Sequence, residues 1–155
     1  MLDTVKTLCY LSGVSGYEDE VREYILERAM PYASSVETDP LGNLIIYKKG
    51  AVSTGRKLML CAHMDEVGLV VTHIDDDGYL RFGFAGGIDR RVIIGKSVYV
   101  GDGRVPGVIG IKAYHLVTDE EEKKVPKAEE MYIDIGARSR AEAEKLVSLG
   151  DACVF

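Results

Sequence analysis

From Gly68 to the end of the chain, apolar residues fall in short runs punctuated by glycine, and this feature restricts the fold more than any other. The runs at 69–74, 79–84, 92–94, 97–100, 107–111 and 132–135 are rich in β-branched and aromatic residues and have the length of strands. Between them, Asp75-Asp76-Asp77-Gly78 and Gly101-Asp102-Gly103 offer the positive-φ residues that tight hairpin turns demand. The stretch 118–130, dense in Glu and Lys around Pro126, reads as a surface loop. Ser139-Arg140-Ala141-Glu142 has the form of a capping box opening a helix through Val147, closed by Gly150 and followed by a last strand at 152–155. Strands at this spacing imply a small barrel or sandwich.

The first 67 residues have a different texture. Leu2, Val5, Leu8, Cys9 and Leu11 recur at helical spacing, with Gly13 as a stop. A second capping box, Ser15-Gly16-Tyr17-Glu18, introduces a helix with Val21, Tyr24, Ile25 and Ala29 on its apolar face and Pro31 at its exit. Segments 35–38 and 44–47, joined by Asp39-Pro40-Leu41-Gly42-Asn43, form a hairpin pattern. A polar stretch at 48–57 then leads to Leu58-Met59-Leu60-Cys61-Ala62, whose unbroken apolar character predicts a strand buried on both faces. The boundary between the two textures falls at Val67 and Gly68, so residues 1–67 and 68–155 are expected to form separate domains.

Composition removes several functional classes. With 46% hydrophobic and 28% charged residues in 155, the chain is globular in type, and its net charge of -6 provides no basic surplus for nucleic acid or anionic lipid. No apolar stretch approaches the roughly 20 residues of a membrane span, and Asp3 and Lys6 interrupt the opening where a signal peptide would be apolar. A cytoplasmic protein is expected. Cys9, Cys61 and Cys153 lack metal-knuckle spacing and are expected to be small buried hydrophobes.

The chemistry concentrates at the end of the predicted buried strand, in His63-Met64-Asp65-Glu66. Residues two apart on a strand share a face, so His63 and Asp65 are disposed as a metal-binding imidazole and the carboxylate that fixes its ring. A bare pair of this kind more often places a packed histidine beside an aspartate that caps a turn. Elsewhere, Glu120-Glu121-Glu122 and Glu129-Glu130 flank lysines and read as solvated charge. His73 and His115 read as packing or hydrogen-bonding residues. The Asp75–Asp77 run lacks the alternating ligands of a calcium loop.

The longer string Leu58-Met59-Leu60-Cys61-Ala62-His63-Met64-Asp65-Glu66-Val67-Gly68 resembles the first metal-site segment of the M42 metallo-aminopeptidases, the glutamyl or deblocking type. Further segments are similar to that family in its order: Leu11 to Glu18, Asp39 to Leu44, Gly86 to Asp89, Gly107 to Gly110 and Tyr132 to Ala137. The resemblance covers the N-terminal portion of such an enzyme. It implies an α/β fold in which residues 1–67 begin a zinc-peptidase-like catalytic domain and residues 68–155 form an inserted, small β-barrel of PDZ-like type that mediates dimerisation.

By the same resemblance, His63 binds one of two divalent metal ions, zinc or cobalt, and Asp65 is the catalytic-site aspartate that orients it. The substrate would be a peptide, cleaved at its N-terminal residue. The family's self-association, as dimers and dodecamers, would extend to this chain. The remaining metal ligands and the general base of the family find no match here, so the 155 residues by themselves are expected to be catalytically silent. The competing expectation is a non-catalytic self-association or peptide-binding β-domain.

Overall fold

The computed structural model describes residues 1–52, 55–118, 120 and 123–155. They divide into two compact units, Met1–Asp65 and Glu66–Phe155. Of the acidic run at 120–122, the last two residues lie outside the described set.

The first unit opens with α1 (Leu2–Tyr10) and α2 (Asp19–Ala29), the latter followed by a single 3-10 turn at Met30–Tyr32 that Pro31 enforces. Neither helix buries much: α1 has no buried residue, and α2 buries only Val21. The capping box predicted at Ser15 does not form. Glu18 is the N-cap without a side-chain cap bond, its carboxylate accepts from the Gly16 amide at 2.8 Å, and the Ser15 hydroxyl is directed elsewhere.

Strands β1 (Ser35–Thr38) and β2 (Leu44–Tyr47) pair antiparallel as an isolated two-stranded sheet, as the hairpin pattern predicts. Asp39 organises the connecting turn. Its Oδ1 accepts from the Leu41 and Asn43 amides, both at 2.9 Å, while Oδ2 accepts from the Asn43 side chain at 2.8 Å. The Asn43 side chain and these amides hold the Asp39 carboxyl below its ordinary pKa.

Residues 58–62 are not the buried strand that their composition predicts. They form no regular element, and Leu58, Met59 and Leu60 are 86%, 82% and 87% exposed. A central strand needs hydrogen-bonded neighbours and apolar layers on both faces, but β1 and β2 pair only with each other. Apolar composition alone cannot bury a segment that the rest of its unit does not cover.

The second unit is a closed six-stranded barrel of β3 (Gly68–Ile74), β4 (Leu80–Ala85), β5 (Ser97–Val100), β6 (Val105–Gly110), β7 (Tyr132–Asp134) and β8 (Ala152–Val154), in the order β3-β4-β7-β6-β5-β8. Of the two architectures that the strand spacing allows, the barrel is the one formed. In β3, Leu69, Val71 and Ile74 are buried while Thr72 and His73 are both exposed, a break in alternation that coincides with a register shift between Val71 and His73. One residue inserted at that bulge returns Ile74 to the core. His73 therefore lies outside the barrel, with Nε2 3.7 Å from Asp75 Oδ1.

The predicted β run at 92–94 is instead largely helical, α3 (Arg90–Ile93). Asp89 accepts from the Arg91 amide at 3.0 Å as N-cap, and this local bond outweighs the strand propensity of Val92 and Ile93. Ile93 inserts into the core beside Leu80, Val98 and Met131. Burying each such side chain contributes about 1.5–3 kcal/mol.

Near the end, Ser139 caps α4 (Arg140–Ala143), accepting from the Glu142 amide at 3.3 Å. The Glu142 carboxylate accepts from the Arg138 amide instead of Ser139, so the capping box closes one residue early. The helix is also shorter than predicted, although Val147 still donates to the Ala143 carbonyl at 3.0 Å.

The Asp75–Gly78 turn is structural. Asp75 Oδ2 takes two hydrogen bonds from the Arg81 guanidinium, at 2.8 and 2.7 Å, and Gly78 adopts φ +90°. A Cβ at Gly78 would also stand 2.9 Å from the Ala137 carbonyl oxygen. Gly78→Ala should therefore destabilise the barrel by about 1–3 kcal/mol, read as faster global exchange of the β3 and β4 amides; unchanged exchange would contradict this account.

Cys153 sits in the barrel core, where burial first and Asp151 second push its thiol up to about 12, whereas Cys9 and Cys61 are exposed, contrary to expectation. Maleimide labelling of the native chain should modify Cys9 and Cys61 quickly and Cys153 only after unfolding, as mass spectrometry of the peptides will show.

Candidate functional site

The site is built at the end of the first unit from two distant segments. One is the turn that follows α1. The Tyr17 amide donates to the Val14 carbonyl at 2.7 Å, Gly16 takes φ +90°, and Val14 is fully buried. Two carboxylates from the start of α2 secure this turn, Glu18 at the Gly16 amide and Glu20 at the Ser12 amide, at 2.8 and 2.9 Å. The other segment is His63-Met64-Asp65, which immediately follows the unpaired apolar run.

His63 Nδ1 lies 3.0 Å from Asp65 Oδ1 and 2.9 Å from the Asp65 backbone oxygen. Both neighbours are acceptors when Asp65 is ionised, so Nδ1 carries the proton and donates to them. The lone pair of a neutral ring is then on Nε2. The Ser15 hydroxyl donates to Asp65 Oδ2 at 2.5 Å, a separation typical of a hydroxyl bonded to a carboxylate. That bond first, and His63 second, hold the Asp65 carboxyl below its ordinary pKa against partial desolvation.

Chemically, this arrangement could serve as one ligand position of a metal site. A neutral imidazole with one nitrogen tied to a carboxylate and the other bare is the donor that zinc or cobalt accepts. The fit extends no further, because among the described residues no group of three His, Cys, Asp or Glu side chains comes together as a metal cage. The structure joins His63 to Asp65, as the spacing predicts, but through hydrogen bonds in a non-strand segment. Within the second unit, His73 faces Asp75, His115 lies in the 3-10 turn Tyr114–Leu116, and Glu130 accepts from the Lys127 amide at 2.6 Å.

Ser15 is the residue that sequence reasoning assigned to a different task. Its local pattern signals a helix cap, and nothing in the sequence marks a partner fifty positions away.

A family profile described as M42 glutamyl aminopeptidase matches residues 42–155. A protein of Acetivibrio thermocellus named as an aminopeptidase is 44% identical over 155 residues, all of this chain and 44% of that protein. Among solved structures, a TET aminopeptidase of a marine-sediment Thaumarchaeota archaeon superimposes with a TM-score of 0.90 at 38% identity, over 99% of this chain and 44% of that one. The TET1 peptidase of Pyrococcus horikoshii, which can assemble into a tetrahedron or a large octahedral shell, gives a TM-score of 0.85 at 38% identity, over 99% of this chain and 46% of that one. The chain spans less than half the length of each of these proteins. The profile match, which includes His63 and Asp65, and the shared fold over nearly the whole chain establish that this protein belongs to the M42 glutamyl aminopeptidase family.

Proposed function

We propose that this chain is the N-terminal part of a binuclear-metal aminopeptidase that removes N-terminal residues from peptides, with His63 as a metal ligand and Asp65 as the residue that orients it. The observation that carries this reading is the His63 ring held at Nδ1 by Asp65, in a member of an aminopeptidase family. Zinc or cobalt ions bound there would polarise the scissile carbonyl and lower the pKa of an attacking water. The chain's own contribution is positional: Asp65 fixes the tautomer and plane of the imidazole and so sets the direction of its Nε2 lone pair.

Residues 1–67 are read as the first segment of a zinc-peptidase-like α/β catalytic domain, and residues 68–155 as an inserted, PDZ-like dimerisation domain. Supporting this, the first unit exposes Leu58, Met59 and Leu60 and buries nothing of α1, as expected of a partial domain whose covering layers are supplied elsewhere. The barrel, in contrast, closes on itself with a core of its own. The assembly of the Pyrococcus horikoshii relative supports a self-associating role for this chain. No helix among the described residues is long and apolar enough to cross a membrane, and the exposed thiols of Cys9 and Cys61 suit a reducing cytoplasm.

One imidazole cannot define a coordination sphere, so the 155-residue chain alone is silent in this reading. The purified chain, given zinc or cobalt and an aminoacyl chromophore, should release no more product than its His63→Ala variant. Hydrolysis that disappears in the variant would show a complete site and overturn the silent-chain reading. In the polypeptide extended to the length of its relatives, His63→Ala should lower kcat/KM by about 100-fold or more; retention of full activity there would remove His63 from the metal site.

A further inference from the structure

We propose that Ser15 is a positioning residue for the His63 metal ligand, acting through Asp65. The inference rests on the ligand role just proposed for His63 and adds a third member to that pair.

The His63 side chain is 85% exposed, so packing does not fix its ring. Hydrogen bonds at Nδ1 are what orient it, and a bond to a carboxylate oxygen is only as directional as the carboxylate itself. Asp65 is 40% exposed at its side chain and could turn about its terminal torsion, which is broad for a carboxylate. Ser15 opposes that rotation. With Oδ1 accepting from His63 and Oδ2 from Ser15, each oxygen of Asp65 has a donor, and rotation would break both bonds.

The hydroxyl comes from a well-anchored place. Val14 beside it is fully buried, the Tyr17 amide closes the turn onto Val14, and Glu18 holds the Gly16 amide. Because Glu18 satisfies Gly16 instead of completing a capping box, the Ser15 hydroxyl is available to Asp65. The resulting relay runs Ser15 to Asp65 to His63, each hydroxyl or ring N–H donating toward the carboxylate, and leaves Nε2 for the metal.

The test compares Ser15→Ala with the hydroxyl-preserving Ser15→Thr. In the metal-free 155-residue chain, long-range 15N–1H spectra should show His63 in the single Nδ1–H tautomer in the wild type and in Ser15→Thr. In Ser15→Ala, where the Asp65 backbone oxygen remains as an acceptor, a measurable Nε2–H fraction is expected beside the Nδ1–H form. In the full-length enzyme, the zinc dissociation constant should rise about 10-fold in Ser15→Ala, the lower end of the range for residues that support a ligand, and stay within about twofold of wild type in Ser15→Thr.

Wild-type tautomer and zinc affinity in Ser15→Ala, with affinity lost in His63→Ala, would overturn the role of Ser15 and leave the ligand assignment standing. Equal losses in Ser15→Ala and Ser15→Thr, with α2 amides losing exchange protection, would assign Ser15 to the turn alone and also overturn the proposal. Zinc affinity unchanged in His63→Ala would sink the ligand assignment itself, and the relay with it.

Discussion

Closure through β8 is the constraint on which the second unit depends. Its three residues pair with β3 at Leu69↔Cys153 and Val70↔Ala152, and with β5 at Tyr99↔Val154 and Val100↔Cys153. Without this strand both β3 and β5 would present an open edge of unpaired amides and carbonyls. With it, every strand of the barrel has two neighbours, and the interior side chains of β3, β4, β5, β6 and β7 enclose a core to which α3 and α4 add Ile93 and Ala143. Cys153 is central to the closure, fully buried and registered against both flanking strands.

The first unit is organised by a different kind of interaction. Among its described residues the buried hydrophobics are few, Val14 and Val21, and its turns are instead held by carboxylates that accept from backbone amides or hydroxyls: Asp39 in the hairpin, Glu18 and Glu20 at the start of α2, and Asp65 at the candidate site. Such bonds are directional and local, so they define turn geometry well without closing a core. They also carry a pH sense. The depressed Asp39 pKa makes its contribution fully present above the ordinary value of 3.8 and progressively lost as pH falls through the lower folded-state value.

The parts of the structure legible in the sequence are those encoded by neighbouring residues. Strand β5 falls where its alternation puts it, β1 and β2 flank the turn signalled by Asp39 and Gly42, and Gly78 marks a hairpin corner with φ +90°. The failures share a cause. The composition of Leu58–Ala62 favours burial, but burial belongs to the neighbours, and the described residues of the unit provide none for that segment. Cys9 and Cys61 are exposed for the same reason, since each lies on an uncovered part of the first unit. At 92–94 a single carboxylate, Asp89, converted a strand-like run into a helical turn; the adjacent Arg91 guanidinium holds that carboxyl down to about 2. Of the candidate site, the proximity of His63 and Asp65 is readable from their closeness in sequence, although the strand on which the two-residue spacing relies does not form, whereas the Ser15 contact joins positions too far apart for any local pattern to record.

The division between the units bears on the chemistry. A side chain on a packed core strand inherits its rigidity from the core, but His63 lies just beyond an exposed segment without regular structure and inherits none. Its orientation must come from hydrogen bonds close to the ring, and the structure furnishes them from Oδ1 and the backbone oxygen of Asp65, with Oδ2 held in turn by Ser15 on a turn anchored by Val14. Under the proposed ligand role, a donor held this way would be ordered in advance, which would lower the entropic cost of capturing a metal. Because these bonds do not draw on a core, the tautomer and plane of the ring are set without burial of residues 58–62.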